Sequence, residues 1–335
     1  MLTHIKGVIP ILMVGLLVLL TACDESNISN QPVAEGHFSV DYVEGENAKG
    51  NKTSDTNTGG FEDGIYSEHL AKINSELADK GFDNIQLVMA ETITYSEEDG
   101  VAMGQTIFAN DRTKTLLSQW QANDPIRSAV YGAPVENDLT QTVFTPFAVA
   151  NGSINAEPDI DASFETWNTL KKNSGLDIIK VPTPAGVFPS AILGIPGLTN
   201  DPFVADISTI GFVPGIILDS VLGSGASSSV LGVTFTFTWN AAPDVVALKE
   251  VWYNDAFTWS NDGSPGIDIE TVALHENGHA LGFGHFGKIS VTNANGKLHV
   301  SPRAVMNAAY LGPVREPLGT DKASFSNVFG DWPKD

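Results

Sequence analysis

The stretch His275-Glu276-Asn277-Gly278-His279-Ala280-Leu281-Gly282-Phe283-Gly284-His285 places three of the chain's seven histidines within eleven residues. His275 and His279 are four residues apart, so on a helix they lie on one face, a turn apart. Two neutral imidazoles in that arrangement can bind one zinc ion. Gly282 can adopt the positive φ that ends a helix, and the resulting turn can bring His285 round as a third ligand. Three protein ligands leave the fourth position open, as in catalytic zinc sites.

The carboxylate of Glu276 follows the first ligand directly. In that position it can act as a general base that takes a proton from zinc-activated water. The short pattern H-E-x-x-H also occurs on ordinary surface helices, whereas H-E-x-x-H-x-x-G-x-x-H specifies five positions and is far more specific. The stretch therefore predicts one catalytic Zn²⁺ held by His275, His279 and His285, with Glu276 as the catalytic residue.

Length and charge set outer bounds on the function. The chain has 335 residues, of which 42% are hydrophobic, and a net charge of −22. This leaves room for one large or two small domains and argues against a nucleic-acid partner, because phosphates would be repelled. The acidity indicates either solubility or calcium sites built from Asp and Asn side chains. No spaced calcium motif is present, which favours solubility and leaves Ca²⁺ open as a second ion.

The first residues indicate export. Lys6 precedes an apolar run over residues 8–20 that is too short for a comfortable membrane span. Leu20-Thr21-Ala22-Cys23 then resembles the bacterial lipobox, in which the signal is cut before the cysteine and that cysteine is lipidated. An ordinary secretory signal cleaved nearby is the alternative. We expect residues 1–22 to be a signal peptide and Cys23 to anchor the protein by lipid in the bacterial cell envelope, facing the periplasm or the exterior.

Composition and periodicity divide the remaining chain into three parts. Residues 23–60 are polar, and this composition predicts a flexible tether. The pattern over residues 61–135 predicts a small α/β unit, which is either a prosegment or an accessory domain. Its expected elements are a helix spaced on Tyr66, Leu70, Ile73 and Leu77, strands over 85–89 and 91–95, and a helix over 116–120. It contains no cysteine, so it cannot block zinc with a thiolate. Residues 136–335 form the third part, which contains the histidines.

In that third part, strands are expected over 140–144, 178–181, 231–239 and 249–253. A helix should carry Phe164, Trp167 and Leu170 on one face, with Asp159 or Asp161 as its N-cap. Residues 182–229, rich in Gly, Pro and Ser, read as a strand inside long loops. Asp268 is the expected N-cap of the histidine helix.

The histidine stretch is followed by a second pattern around a methionine. Met306 lies 21 residues after His285, within Ser301-Pro302-Arg303-Ala304-Val305-Met306-Asn307. The two patterns together resemble the metzincin metalloproteases, and Val305-Met306-Asn307-Ala308-Ala309-Tyr310 looks like the matrixin version. The likeness covers roughly residues 136–331. It implies an α+β fold with a twisted mixed β-sheet, three helices and a zinc cleft, preceded here by the small α/β region.

The resemblance also implies roles for particular residues. The strand over 231–239 would be the substrate-binding edge strand or its neighbour, to which an extended protein or peptide substrate adds by main-chain hydrogen bonds. Met306 would form an apolar floor beneath the zinc, although a buried core methionine is equally compatible with its position. Tyr310 would be an oxyanion donor or a cleft-wall residue, and we favour the wall.

This chain departs from the matrixin pattern in three places, one of which is Phe286 directly after the third ligand, where matrixins typically have a small polar residue. Residues 182–250 contain no histidine, so we expect the matrixins' second, structural zinc to be missing. Asp206 stays a candidate calcium ligand, with a cap or turn residue as the alternative. The thiol latch of matrixin prosegments has no counterpart, so latency must work another way. The expected function is that of a membrane-tethered zinc endopeptidase. The alternatives are a non-catalytic zinc-binding surface lipoprotein and a zinc amidase acting on cell-wall peptides; the oligomeric state stays open.

Overall fold

A computed structural model describes residues 63–94, 116, 118–131, 137–171, 174–291 and 298–334. The expected signal peptide, the tether and the lipidation site Cys23 lie outside these described residues. Within the described part of the chain, no helix is both long and apolar enough to span a bilayer.

Seven α-helices and fourteen strands make up the described structure. The helices are α1 Asp63–Asp79, α2 Pro125–Tyr131, α3 Glu157–Asn168, α4 Gly215–Leu222, α5 Ala226–Ser229, α6 Ile269–Ala280 and α7 Gly319–Phe329. The strands are β1 Ile85–Thr94, β2 Leu139–Val143, β3 Val149–Ala150, β4 Ile154–Asn155, β5 Ile178–Lys180, β6 Val187–Phe188, β7 Thr199–Asn200, β8 Ile207–Val213, β9 Val230–Trp239, β10 Ala242–Asn254, β11 Trp259–Ser260, β12 Ile267–Asp268, β13 Lys288–Val291 and β14 Leu298–Ser301.

Six of the strands form the main sheet, in the order β1-β9-β10-β8-β2-β5. The pairs β1/β9 and β9/β10 are antiparallel, and the pairs β10/β8, β8/β2 and β2/β5 are parallel. The sheet is therefore mixed, which confirms the α+β class and the mixed sheet expected from the sequence. The other strands form two-stranded pairs in the connections.

Two hydrophobic clusters make up the core. One joins side chains of α3, α6 and α7, including Trp167, Leu274 and Phe329. The other joins side chains of α1, α4 and the central strands, including Leu77 and Phe235. All ten residues of β9 are buried. This burial of both faces agrees with the composition of the strand, which consists mainly of apolar residues and threonines.

Two expectations about helix positions are wrong. Residues 118–120 are not helical: Gln119 instead donates its N–H to Asp244 O at 3.1 Å and accepts from Val246 N at 3.0 Å, so this backbone extends the sheet. The N-cap of α3 is Ala156, not Asp159 or Asp161, because Pro158 occupies the first turn, where a missing N–H costs nothing.

The region over 182–229 is more regular than expected. It contains the seven-residue strand β8, but also α4 and α5, so the described residues from 137 onward include five α-helices, whereas the resemblance implies three. The apolar spacing of α4 explains this, since Leu218, Val221 and Leu222 are buried against the sheet despite the flanking glycines.

The described parts of residues 61–135 join the same sheet as the rest of the chain. The strands expected over 85–89 and 91–95 are one continuous strand, β1, which pairs with β9 along its length. The α2 segment is attached by a buried ion pair, in which Arg127 Nε lies 3.2 Å from Asp206 Oδ1, and by a 2.8 Å hydrogen bond from Trp239 Nε1 to Asp124 Oδ2.

Candidate metal centre

Helix α6 carries His275, Glu276 and His279, and all of its residues except Glu270 are buried. Its N-terminus is capped by Asp268, whose Oδ1 accepts from Thr271 N at 2.8 Å, as the sequence predicts. Trp167 on α3 donates its indole N–H to Leu274 O at 2.9 Å. Gly282 has φ of 96°, which confirms the left-handed turn expected at the end of the helix. These contacts fix the direction in which the helix presents its histidines.

The structure brings His275, His279 and His285 together at one point. Their Nε2 atoms are 3.0 Å apart for His275 and His279, 3.1 Å for His279 and His285, and 3.3 Å for His275 and His285. Two nitrogens bound tetrahedrally to one zinc ion would be roughly 3.3 Å apart. The three side chains therefore form a group that could hold a metal ion.

The opposite ring nitrogens fix the tautomers. His275 Nδ1 donates to Val305 O at 2.8 Å, and His279 Nδ1 donates to Phe283 O at 2.7 Å. His285 hydrogen-bonds to the backbone of Thr92, and its Nδ1 lies 3.2 Å from Glu91 Oε2. Because carbonyl and carboxylate oxygens accept hydrogen bonds, each Nδ1 carries the hydrogen and each Nε2 presents a lone pair. Three converging lone pairs repel one another unless a cation lies among them, so this donor set fits a metal ion.

Burial keeps these histidines neutral. It lowers the pKa of His275 to about 4, against the opposing effect of its bond to Val305. Burial, and then the neighbouring histidines, hold the pKa of His279 well below its usual range. Burial and His275 do the same for His285. Neutral imidazole is the form that binds a metal, so the site needs little proton release at neutral pH.

Glu276 lies beside the triad with both carboxylate oxygens engaged. Oε2 accepts from Thr234 Oγ1 at 2.7 Å, and Oε1 accepts from Ile93 N at 3.1 Å. Burial raises the pKa of Glu276 to about 8, and the two donors oppose this shift. Gly232 on β9 allows the close approach, since a Cβ there would lie 2.9 Å from Glu276 Cγ.

Met306 packs directly against the helix between the first two histidines. A Cβ on Gly278 would lie 2.3 Å from Met306 Sδ, so the glycine makes room for the methionine. The turn is held by Asp321 at the start of α7, whose carboxylate accepts from Val305 N at 2.9 Å and from Met306 N at 3.2 Å. Through Val305 O, this same turn fixes the ring of His275.

Tyr310 and Asp206 each have hydrogen-bond partners within the protein. Tyr310 Oη accepts from Asp268 N at 3.0 Å, which ties its ring to the start of α6. Its backbone N–H donates to Thr94 O at 3.0 Å, beside the end of β1. Asp206, the candidate calcium ligand, is fully buried and accepts from Thr140 N at 2.7 Å and Thr140 Oγ1 at 2.8 Å. With Arg127 beside it, its oxygens already have protein partners.

Several residues at the centre are not marked by the sequence pattern. Thr234 and Gly232 lie in the expected strand over 231–239, where only the alternation of threonine with apolar residues distinguishes a polar face. Glu91 and Ile93 lie on β1, and Ile93 is 183 residues before Glu276 in the sequence. No local pattern links these two residues to the histidines. Lys249 is also fully buried and donates its ammonium to His279 O at 2.7 Å.

Two comparisons with known proteins identify no relative of this chain. A scan against protein-family models finds no match to the chain, and a search among curated proteins also finds none.

Proposed function

We propose that this chain is a zinc-dependent endopeptidase similar to the metzincins, and to the matrixins among them. The observation that carries the proposal is the convergence of three unprotonated histidine nitrogens beside the buried carboxylate of Glu276. The position of Met306 against Gly278 supports the metzincin likeness. A site built only to stabilise the fold has no use for a carboxylate at this place.

The residues of the centre divide the reaction between them. His275, His279 and His285 would hold Zn²⁺, which supplies Lewis-acid activation of water and of the scissile carbonyl when bound. Glu276 would accept a proton from the attacking water and pass it to the leaving amide nitrogen as the C–N bond breaks. Thr234 would hold Oε2 in place, which leaves Oε1 as the oxygen that exchanges the proton. The edge of β9 would align an extended substrate with these groups.

One observation favours the non-catalytic alternative, a zinc-binding surface lipoprotein. Both oxygens of Glu276 already accept hydrogen bonds from the protein, and His275, Glu276 and His279 are each 0% exposed. A general base must reach its water and its substrate, which a permanently closed site would prevent. The two hypotheses therefore differ in whether this closure is reversible.

Matched variants separate the two hypotheses. We expect the zinc-loaded chain to cleave members of a peptide library, Glu276→Gln to retain zinc but lose turnover at least 100-fold, and His279→Ala to lose both zinc and activity. Metal content and cleavage products, by mass spectrometry, are the measurements. Retained cleavage in a zinc-free His279→Ala protein would refute the assignment. Release of peptides from peptidoglycan but not from casein would favour the amidase.

We also propose that Cys23 carries a lipid that anchors the protein in the bacterial cell envelope. The lipobox-like residues before it support this. Cys23→Ser should move the protein from the membrane fraction to the soluble fraction. A variant that stays in the membrane fraction would mean that another segment holds it there.

A further inference from the structure

The strand that should receive a substrate has no free edge in this structure. β9 pairs with β10 on one side and with β1 on the other, from Ile85 opposite Trp239 to Thr94 opposite Val230. An extended peptide that adds to β9 needs the unpaired N–H and C=O groups of that edge. In this structure the chain's own β1 makes those hydrogen bonds.

The end of β1 also reaches the proposed catalytic groups. Ile93 donates its backbone N–H to Glu276 Oε1 at 3.1 Å. One residue later, Thr94 O accepts from Tyr310 N at 3.0 Å and Thr94 forms a parallel bridge with Ala309. β1 therefore lies in the groove between β9 and the segment that follows residues 301–307, the turn around Met306 that we call the methionine turn. Its backbone is hydrogen-bonded on both sides.

This placement accounts for the closure of the site. β1 is the outer strand of the sheet, yet residues 89–94 of it are all buried. The carboxylate of Glu91 lies against His285, the most exposed of the three histidines, whose side chain is 17% accessible. The strand thus covers the metal centre from the side on which β9 would otherwise be open.

We infer that β1 is a blocking strand, and that the chain is latent until β1 leaves β9. The inference rests on the proposed peptidase function. β1 blocks the site by pairing with β9 and by the hydrogen bond from the backbone N–H of Ile93 to the Glu276 carboxylate. No cysteine thiolate takes part in this block. The only cysteine, Cys23, is far from β1 in sequence. The proposal explains how Glu276 can act as a general base although both of its carboxylate oxygens accept hydrogen bonds in this structure.

The contacts on either side of β1 limit which part would have to move. Ahead of it, Asn74 on α1 holds Leu87 by two bonds, Asn74 Nδ2 to Leu87 O at 3.1 Å and Leu87 N to Asn74 Oδ1 at 2.7 Å. Beyond it, the α2 segment is fixed to the core by the buried Arg127–Asp206 pair. Release of α1 and β1 therefore leaves the α2 segment in place.

A reversible covalent lock tests whether β1 must leave. Thr92 and Val233 are partners in the β1/β9 register, so cysteines at both positions are close enough for a disulfide. In the full mature chain with Cys23→Ser, Thr92→Cys and Val233→Cys, we expect the oxidised, zinc-loaded protein to show at least a tenfold lower cleavage rate than the reduced protein. Equal rates in the two redox states would overturn the inference while leaving the peptidase function intact.

A second variant loosens the block without touching the metal centre. Asn74→Ala removes both bonds to Leu87, so we expect cleavage to rise roughly five- to tenfold as the open state becomes more populated. Asn168→Ala is the matched control, because Asn168 is also half-buried and its Oδ1 accepts from Ile178 N at 3.3 Å, on β5 at the opposite edge of the sheet from β1. If both variants change the rate equally, the effect is general destabilisation and the inference fails.

Hydrogen exchange provides a readout that does not depend on turnover. In the zinc-loaded Glu276→Gln protein, added casein should increase exchange in a fragment covering Ile85–Thr94, because substrate and β1 compete for β9. If neither the reduced lock protein nor Asn74→Ala cleaves any peptide with zinc bound, the proposed function fails. Unchanged exchange of β1 in the presence of casein would overturn the blocking strand in either case.

Discussion

At the scale of single residues, the candidate metal centre combines a regular spacing with contacts that no spacing reveals. His275 and His279 follow from helical periodicity, and His285 follows from the turn at Gly282, so all three could be named from the sequence. Thr234 could not, because a threonine in a buried strand has the same pattern whether or not its hydroxyl meets a carboxylate. The structure shows its Oγ1 2.7 Å from Glu276 Oε2.

We predict that Thr234→Val lowers kcat roughly tenfold or more in the zinc-loaded protein, because the cation favours the ionised form of Glu276 and a hydrogen bond to a charged group typically contributes about 1.5–3 kcal/mol. The nearly isosteric side chain should leave zinc content and KM little changed. Steady-state kinetics with metal analysis make the measurement.

Thr238→Val is the control for that substitution. Thr238 lies on the same strand and the same face, and its hydroxyl has no hydrogen-bond partner within the described ranges. Equal losses in the two variants would show that the strand, not the Glu276 contact, is responsible.

At the scale of elements, the methionine turn depends on the start of a helix further along the chain. Asp321, in the first turn of α7, accepts from the backbone N–H groups of Val305, Met306 and Leu318. Burial raises the pKa of Asp321, and these three donors oppose the shift. Because Val305 O in turn orients His275, α7 acts on the metal centre through the turn.

Asp321→Asn should therefore weaken zinc binding about tenfold, the lower end of what loss of an outer-shell contact costs. In this variant an amide nitrogen, which can only donate, would replace one of the Asp321 carboxylate oxygens that accept from backbone N–H groups. Competition with a zinc chelator measures the affinity.

Asp219→Asn gives the comparison for this prediction. Asp219 Oδ1 on α4 accepts from Gly225 N, just before α5, and from Ser227 N in α5. This substitution should leave zinc affinity unchanged, and an equal loss there would contradict the proposed link from α7 to the centre.

At the scale of the whole molecule, a buried carboxylate joins the sheet to the connection before β8. Glu250 on β10 is 0% exposed and accepts from Ser190 Oγ and Trp252 Nε1 at 2.9 and 3.2 Å, and from Ala191 N. Burial raises its pKa to about 7, against the effect of these donors. The folded protein therefore binds this proton more tightly than the unfolded chain does.

The sign of the pH dependence follows from that shift. The stability associated with Glu250 is fully present below pH 4.5, its ordinary pKa, and is lost as pH rises through about 7. The shift corresponds to roughly 3 kcal/mol of unfolding free energy.

Glu250→Gln should remove this decline, so the difference in unfolding free energy between variant and parent should change between pH 4.5 and pH 7.5. Urea unfolding at a series of pH values is the measurement. A difference that stays constant over that range would mean that Glu250 does not titrate there.

The sequence alone was sufficient for the features that depend on local periodicity and backbone conformation. The spacing of the histidines, the positive φ of Gly282, the Asp268 cap and the strand around residues 231–239 could all be predicted, because each depends on neighbours within one or two turns. The conformation of residues 116–120 could not be predicted in this way, because the backbone of Gln119 is hydrogen-bonded to β10, more than 100 residues further along the chain.

Only the tertiary structure decided what lies against the metal centre. β1 and β9 are far apart in sequence, and their pairing depends on two buried faces matching across the sheet, which no local pattern encodes. That pairing places Ile93 on Glu276 and Glu91 beside His285. The sequence alone therefore predicted the chemical groups of the candidate site, and the pairing of distant strands decided that this site is closed by the chain itself.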